Sequence, residues 1–190
     1  MLARYYLLVL WATSFAVASN ANADCNLTIS KKWNVGRSLP YSIEASSIGF
    51  DCKLAVALLV IRDEKGEVVY TYAGATRDNG IFGSLAEKPA TNLKFMRVAL
   101  TEWLRAGLSS KKNSLAKFLP WKKDAAGPTE TPPAEFPFIV NSDISRDIYE
   151  EWRKQDLPVL CFVQGIESER CVVLTKENTV SELGIQSFPG

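Results

Sequence analysis

Four cysteines in two distant pairs, Cys25 with Cys52 and Cys161 with Cys171, constrain what this 190-residue chain can fold into. How they are read depends on what precedes them. Arg4 stands before the apolar run Leu7–Ala18, and Ala21-Asn22-Ala23 sets small residues two positions apart, as a signal peptidase requires. Residues 1–23 are therefore expected to be a cleavable signal peptide that leaves Asp24 as the new N-terminus beside Cys25. A retained anchor is the alternative, but the run is short for one and a cut site follows at once. Asp24 is a poor residue before a lipidated cysteine. Export to the periplasm or beyond the cell puts the thiols in an oxidising compartment, where disulfides form and persist. No other stretch is long and apolar enough to span a bilayer, since Leu54–Ile61 is far shorter than the ~20 residues a membrane helix needs, so the mature chain is expected to be soluble.

Four cysteines allow three pairings, and sequence alone does not choose among them. Locality favours Cys25–Cys52 and Cys161–Cys171. The second pair flanks a predicted hairpin, Pro158–Gln164 and Arg170–Thr175 joined by the polar Gly165–Glu169; closing so short a loop is worth roughly 3 kcal/mol in chain entropy. Free catalytic or metal-binding thiols are the alternative, and no CxxC spacing supports them.

Lysine and arginine total 22 against 21 aspartate and glutamate, and removal of Arg4 leaves a formally neutral mature chain. Such a chain has no global field to gather nucleic acid, so no nucleic-acid partner is expected. Histidine is absent. That excludes Ser-His and Cys-His nucleophile pairs and imidazole metal sites; it weakens an enzyme reading without ending it, because carboxylate pairs and Ser-Lys pairs need no histidine. No cofactor and no metal is expected.

The pattern along the chain predicts an α+β fold: antiparallel hairpins or a sheet covered by two amphipathic helices. Cys25–Ile29 and Tyr41–Ala45 are candidate strands. Lys53–Arg62 is almost continuously apolar, as for a strand buried on both faces, and Asp63-Glu64-Lys65-Gly66 turns it into Glu67–Ala73. Gly74–Leu85 reads as a loop. Pro89 opens a helix whose Leu93, Met96, Leu100, Trp103 and Leu104 form one stripe, with Gly107 placed to end it. A second helix, capped by Asn141 or Ser142, runs to about Gln155 with Ile144, Ile148 and Trp152 on one face. Asn178–Gly190 is a tail with a helical turn at Val180–Leu183. Four segments result: residues 1–23, the signal; 24–109, sheet plus helix; 110–138, a basic, aromatic and Pro-rich linker or long loop; and 139–190, helix plus bridged hairpin, packed with the N-terminal part as one domain.

Three surfaces could bind. Lys111, Lys112, Lys117, Lys122 and Lys123 are interleaved with Leu115, Phe118, Leu119 and Trp121, a composition suited to anionic lipid or polymer, or equally to a loop whose apolar residues reach the core. The loop Arg77–Gly83 carries Arg77, Asp78, Ile81 and Phe82 between glycines and can present apolar side chains or tuck them in. The tip Gly165–Arg170, with Glu167, Glu169 and Arg170, is held by the second disulfide, so it loses little entropy on binding. Asp143, Asp147, Glu150 and Glu151 form a carboxylate cluster. Asp147 and Glu151 share a helix side, although Arg146, Arg153 and Lys154 stand among them, with Arg146–Glu150 and Glu150–Lys154 as ordinary i,i+4 pairs. Asn26-Leu27-Thr28 is a glycosylation sequon, relevant only to a eukaryotic secretory route.

The function expected from these features is non-enzymatic binding of a protein or envelope polymer by exposed loops on a disulfide-stapled scaffold, inhibitor-like or envelope-associated. The alternatives are an envelope enzyme using Asp147 and Glu151, and a peripheral membrane or polymer-associated factor docking weakly through Lys111–Lys123.

Overall fold

A computed structural model describes residues 24–36, 40–83, 87–111, 113–125, 127–128 and 137–188. Residues 1–23, where a signal peptide is expected, Lys112, Ser38, Leu85 and most of the Pro-rich stretch lie outside these residues. The architecture is α+β, with two four-stranded antiparallel sheets and two helices. Sheet 1 has the order β1-β2-β3-β4, with β1 Leu27–Trp33, β2 Tyr41–Ile48, β3 Val56–Arg62 and β4 Val68–Ala75. Sheet 2 has the order β5-β8-β7-β6, with β5 Phe138–Val140, β6 Val159–Val163, β7 Ser168–Leu174 and β8 Val180–Ser187. Helix α1 is Leu93–Leu108 and α2 is Arg146–Lys154.

Period-two side-chain alternation explains the layering. Tyr41, Ile43 and Ala45 of β2 and Ala57, Leu59 and Ile61 of β3 face one core with Met96, Leu100, Trp103 and Leu104 of α1. Sheet 2 completes that core through Leu160, Phe162, Val172 and Leu174. The intervening residues Val159, Cys161, Cys171 and Val173 face a second core, which holds Leu115, Phe118, Phe138 and Tyr149. Sheet 2 is thus buried on both faces, and residues on either side of 110–138 share the first core.

Both disulfides pair as locality favoured, Cys25–Cys52 and Cys161–Cys171, and the second joins directly opposed residues of β6 and β7. The β3–β4 hairpin turns where expected. Asp63 stabilises it by accepting hydrogen bonds from the backbone N–H groups of Lys65 and Glu67, both at 2.9 Å.

Several expectations are corrected. Val180–Leu183 is not a helical turn but the start of β8, a strand paired on both sides. A register shift opposite Cys171/Val172 breaks the alternation, so Val180 and Leu183 fall three apart, as on a helix. Gly107 does not end α1; it lies inside the helix, where an added Cβ would stand 2.9 Å from the Cys161 carbonyl oxygen. Its lack of a side chain lets the helix approach β6. Ser145, not Asn141 or Ser142, caps α2, accepting from the Ile148 N–H at 3.3 Å. The apolar anchor of α2 is Tyr149, fully buried, whereas Ile148 is exposed. Strand β3 begins at Val56, because Lys53 and Leu54 belong to the preceding turn. It is buried on both faces only in part: on the outer side of sheet 1 Val60 is buried, but Leu58 is half-buried and Val56 exposed.

Candidate functional site

Trp103 lies at the junction of sheet 1, α1 and sheet 2. Its ring meets Phe82, Phe162 and Tyr72 edge-on, with centroids 5.3, 6.0 and 6.3 Å away. Its indole N–H donates to the Val163 carbonyl at 2.7 Å, and the Asn79 side-chain amide donates to the same oxygen at 2.7 Å. Asn79 therefore fixes the loop 76–83 against the end of β6. The Gly80 N–H also donates to the Gly165 carbonyl at 3.1 Å. Two loops 80 to 90 positions apart in sequence, each a candidate binding surface, are in this way stitched to one another.

Phe82 is consumed by that stitching. Buried against Trp103, it is a packing residue and not an exposed contact, which corrects its candidacy. Ile81 remains half-buried beside it and Ile166 is exposed at the tip. Together with Phe95 and Val98 of α1, Val163 and Phe188, they line an open groove of about 910 Å³. Glu87, Lys88, Lys94 and Glu102 border it on one side, Glu167 and Glu169 on the other. Glu102 is ion-paired with Arg105, whose guanidinium Nε lies 2.7 Å from the carboxylate. Arg77 and Asp78 are exposed and pair with one another at 3.7 Å, outside the groove lining.

Arg170 turns the other way, into a half-buried network between the sheets. It pairs with Glu182, donates to Gln164 Oε1 at 2.7 Å and lies 5.6 Å from the Tyr72 ring centroid. Tyr72 donates its hydroxyl to the Gln164 carbonyl at 3.1 Å. Burial raises the Tyr70 phenol from its ordinary 10.0 to about 12, and burial likewise raises Tyr72 and Tyr149. These folded values lie above the unfolded one, so the phenols hold their protons more tightly when folded. Their contribution is complete below pH about 10 and is lost as pH rises through the Tyr70 value. The urea midpoint should stay level up to pH about 10, then fall between about 10 and 12, together with tyrosinate absorbance at long wavelength. A level midpoint throughout that interval would contradict this coupling.

The basic segment is built differently from a docking arm. Residues Leu115–Lys117 form a 3-10 turn whose Leu115 N–H donates to the Leu157 carbonyl at 2.9 Å. Leu115 and Phe118 enter the second core, and Trp121 stacks edge-on with Tyr149 at 5.7 Å while donating its indole N–H to the Ala125 carbonyl. Trp121 is thus engaged in packing. Lys117, Lys122 and Lys123 are exposed, and Lys117 donates to Asn113 Oδ1 at 2.6 Å.

Asp147 and Glu151 sit on the open, exposed side of α2, where Glu151 accepts from the Gln155 amide at 3.1 Å. Glu150 instead turns inward. Burial acts to raise its pKa, but the Trp121 N–H at 2.5 Å and Arg153 at 2.7 Å outweigh that and hold it below the usual carboxylate range. An acid–base pair needs a cleft that holds substrate between its members; among the described residues, Asp147 and Glu151 are both exposed on α2. Among the described residues, no cluster of three or more Cys, Asp or Glu is placed to hold a metal ion, and no helix is long and apolar enough to cross a membrane.

The site defines a class in structural terms: a two-sheet, disulfide-stapled α+β protein with a groove where two loops meet the outer face of α1. No family model, curated protein or solved structure matches the chain.

Proposed function

We propose that the protein is an exported, non-enzymatic binding protein whose contact surface is the groove between α1 and the Gly165–Arg170 tip. The observation that carries this is the convergence of both loops on one apolar concavity, of a size and lining that suit a ligand's side chains. The floor is aliphatic and aromatic, and the rim carries both signs of charge. A protein segment with apolar side chains fits such a lining better than a polysaccharide, whose hydroxyls need polar partners. The tip is ordered in advance: the Phe188 N–H donates to the Glu167 carbonyl at 2.8 Å, and the Cys161–Cys171 bridge closes its base. Binding there costs little ordering entropy. Two disulfides accord with an oxidising compartment, and the absence of histidine with a role outside acid–base or nucleophilic catalysis.

A photo-crosslinking residue at Val98 or Ile166 should capture a partner from envelope extract. The same residue at Ile139, exposed on β5 and outside the groove lining, should not. Val98→Asp with Ile166→Asp should reduce capture at least tenfold, by roughly the loss of two buried apolar contacts, with thermal unfolding unchanged. Equal capture from Ile139, or full capture by the double variant, would remove the groove as the contact surface.

A further inference from the structure

The charges around the groove are sorted along its length. Lys94, Val98 and Glu102 follow one another at four-residue steps on α1 and all line the groove, with Lys94 and Glu102 about 12 Å apart along the axis. The hairpin runs against the helix. Gly107 lies against the Cys161 carbonyl and Trp103 donates to the Val163 carbonyl, so α1 is descended as β6 is ascended. Val163 pairs with Glu169 of β7, which sets Glu169 at the level of Trp103 and of its neighbour Glu102.

One end of the groove is thus bounded by carboxylates on both walls, Glu102 on the helix and Glu169 on the hairpin, and Glu167 adds a third on the tip. Arg170 does not neutralise this end, because it turns between the sheets to Glu182. Arg105 pairs with Glu102, but both side chains are largely open to water, where such a pair holds little free energy and yields to a competing cation. The other end carries Lys94, where Glu87 and Lys88 offset one another. Phe95, Val98 and Ile166 lie between the two ends.

We infer, resting on the groove as the contact surface proposed above, that its occupant is a protein segment in which a lysine or arginine neighbours an apolar anchor. The cation seats between Glu102 and Glu169, and the apolar side chains cover Val98 and Ile166. Carboxylates on opposite walls both attract a cation placed between them and both repel an anion. The apolar stretch supplies most of the affinity, whereas the cation fixes which way round the segment lies. A segment with aspartate or glutamate at that place meets like charge on both walls and is rejected.

The test selects random peptides displayed on phage against the chain expressed in full, then measures each synthetic peptide by fluorescence anisotropy. Selected peptides should carry lysine or arginine at a fixed step from an apolar residue. Glu102→Gln with Glu169→Gln should weaken their binding about tenfold with thermal unfolding unchanged. Glu167→Lys, at an exposed position, should weaken it as well. Selection on Glu102→Lys with Glu169→Lys should instead enrich aspartate or glutamate at the same step. Peptides that lack a cation, or that bind the glutamine variant equally well, would overturn the inference; release of those peptides by Val98→Asp with Ile166→Asp would leave the groove standing as the contact surface. Peptides indifferent to that apolar double variant, or no peptide selected at all, would overturn both. The parent should sediment as a monomer, and a dimer that Val98→Asp with Ile166→Asp dissociates would overturn the inference in favour of a second copy.

Discussion

Trp103→Ala is expected to lower the unfolding free energy by about 3–5 kcal/mol, the range for removing a large aromatic side chain from a packed core. The side chain is fully buried and has edge contacts with rings from three other segments: Tyr72 of β4, Phe82 of the 76–83 loop and Phe162 of β6. Those segments cannot close together without moving both sheets, so the space would persist as a cavity. The substitution also removes one of the two donors to the Val163 carbonyl. Asn79 remains, so the oxygen keeps a partner and the main loss is packing. Trp103→Phe should cost less, because it keeps part of the ring and forfeits the N–H. Urea unfolding followed by circular dichroism measures both, and an alanine loss below about 1 kcal/mol would mean that Phe82 and Phe162 collapse into the space.

Gly184→Ala is the second large effect. An added Cβ would stand 2.3 Å from the Ile139 carbonyl oxygen and 3.0 Å from its carbonyl carbon, both backbone atoms of the neighbouring strand β5. The backbone φ of +156° at this position adds strain for any side chain. The clash cannot be relieved by a rotamer; β5 must separate from β8 or β8 must lose its irregularity. The cost is expected to be roughly 3 kcal/mol or more, from overpacking and backbone strain together. Phe138, which packs against Phe118 with centroids 5.1 Å apart, would be displaced as well. Equilibrium unfolding measures the loss, and hydrogen exchange at Asn141, whose N–H donates to the Leu183 carbonyl, localises it. A midpoint equal to the parent's would show that β5 yields freely.

Where a local signal and the fold agree, the chain is legible. The Asp63–Gly66 turn and the alternation around it mark β3 and β4, because the turn residues and the strands make the same demand. The cysteine spacing favours the pairing that the fold makes, because the hairpin between Cys161 and Cys171 leaves them directly opposed. β8 is hidden for the opposite reason. The register shift beside Gly184 removes the period of two by which a strand is recognised. β5 is hidden by its brevity, three residues that gain their place only by pairing with β8.

At the candidate site, each loop is visible in the sequence and their meeting is not. It depends on Asn79 reaching the Val163 carbonyl across 84 positions, and no local pattern encodes such a contact. The outer face of α1 carried a usable sign. Phe95 and Val98 fall outside the Met96, Leu100 and Trp103 stripe, on a side where solvated residues would be expected. The exposure of Phe50 and Leu54 in the turn before β3 is hidden by the apolar run that follows, which reads as one strand buried on both faces.

Sheet 2 works as a party wall, with neighbouring residues of β6 and β7 furnishing opposite rooms. Leu160 and Phe162 belong to the room of α1, Cys161 and Val159 to that of α2, and the Cys161–Cys171 bridge rivets the wall from the second side. A load applied to the Gly165–Arg170 tip enters the wall along both strands. It is therefore borne by both rooms at once, and the groove has the whole thickness of the molecule as its footing.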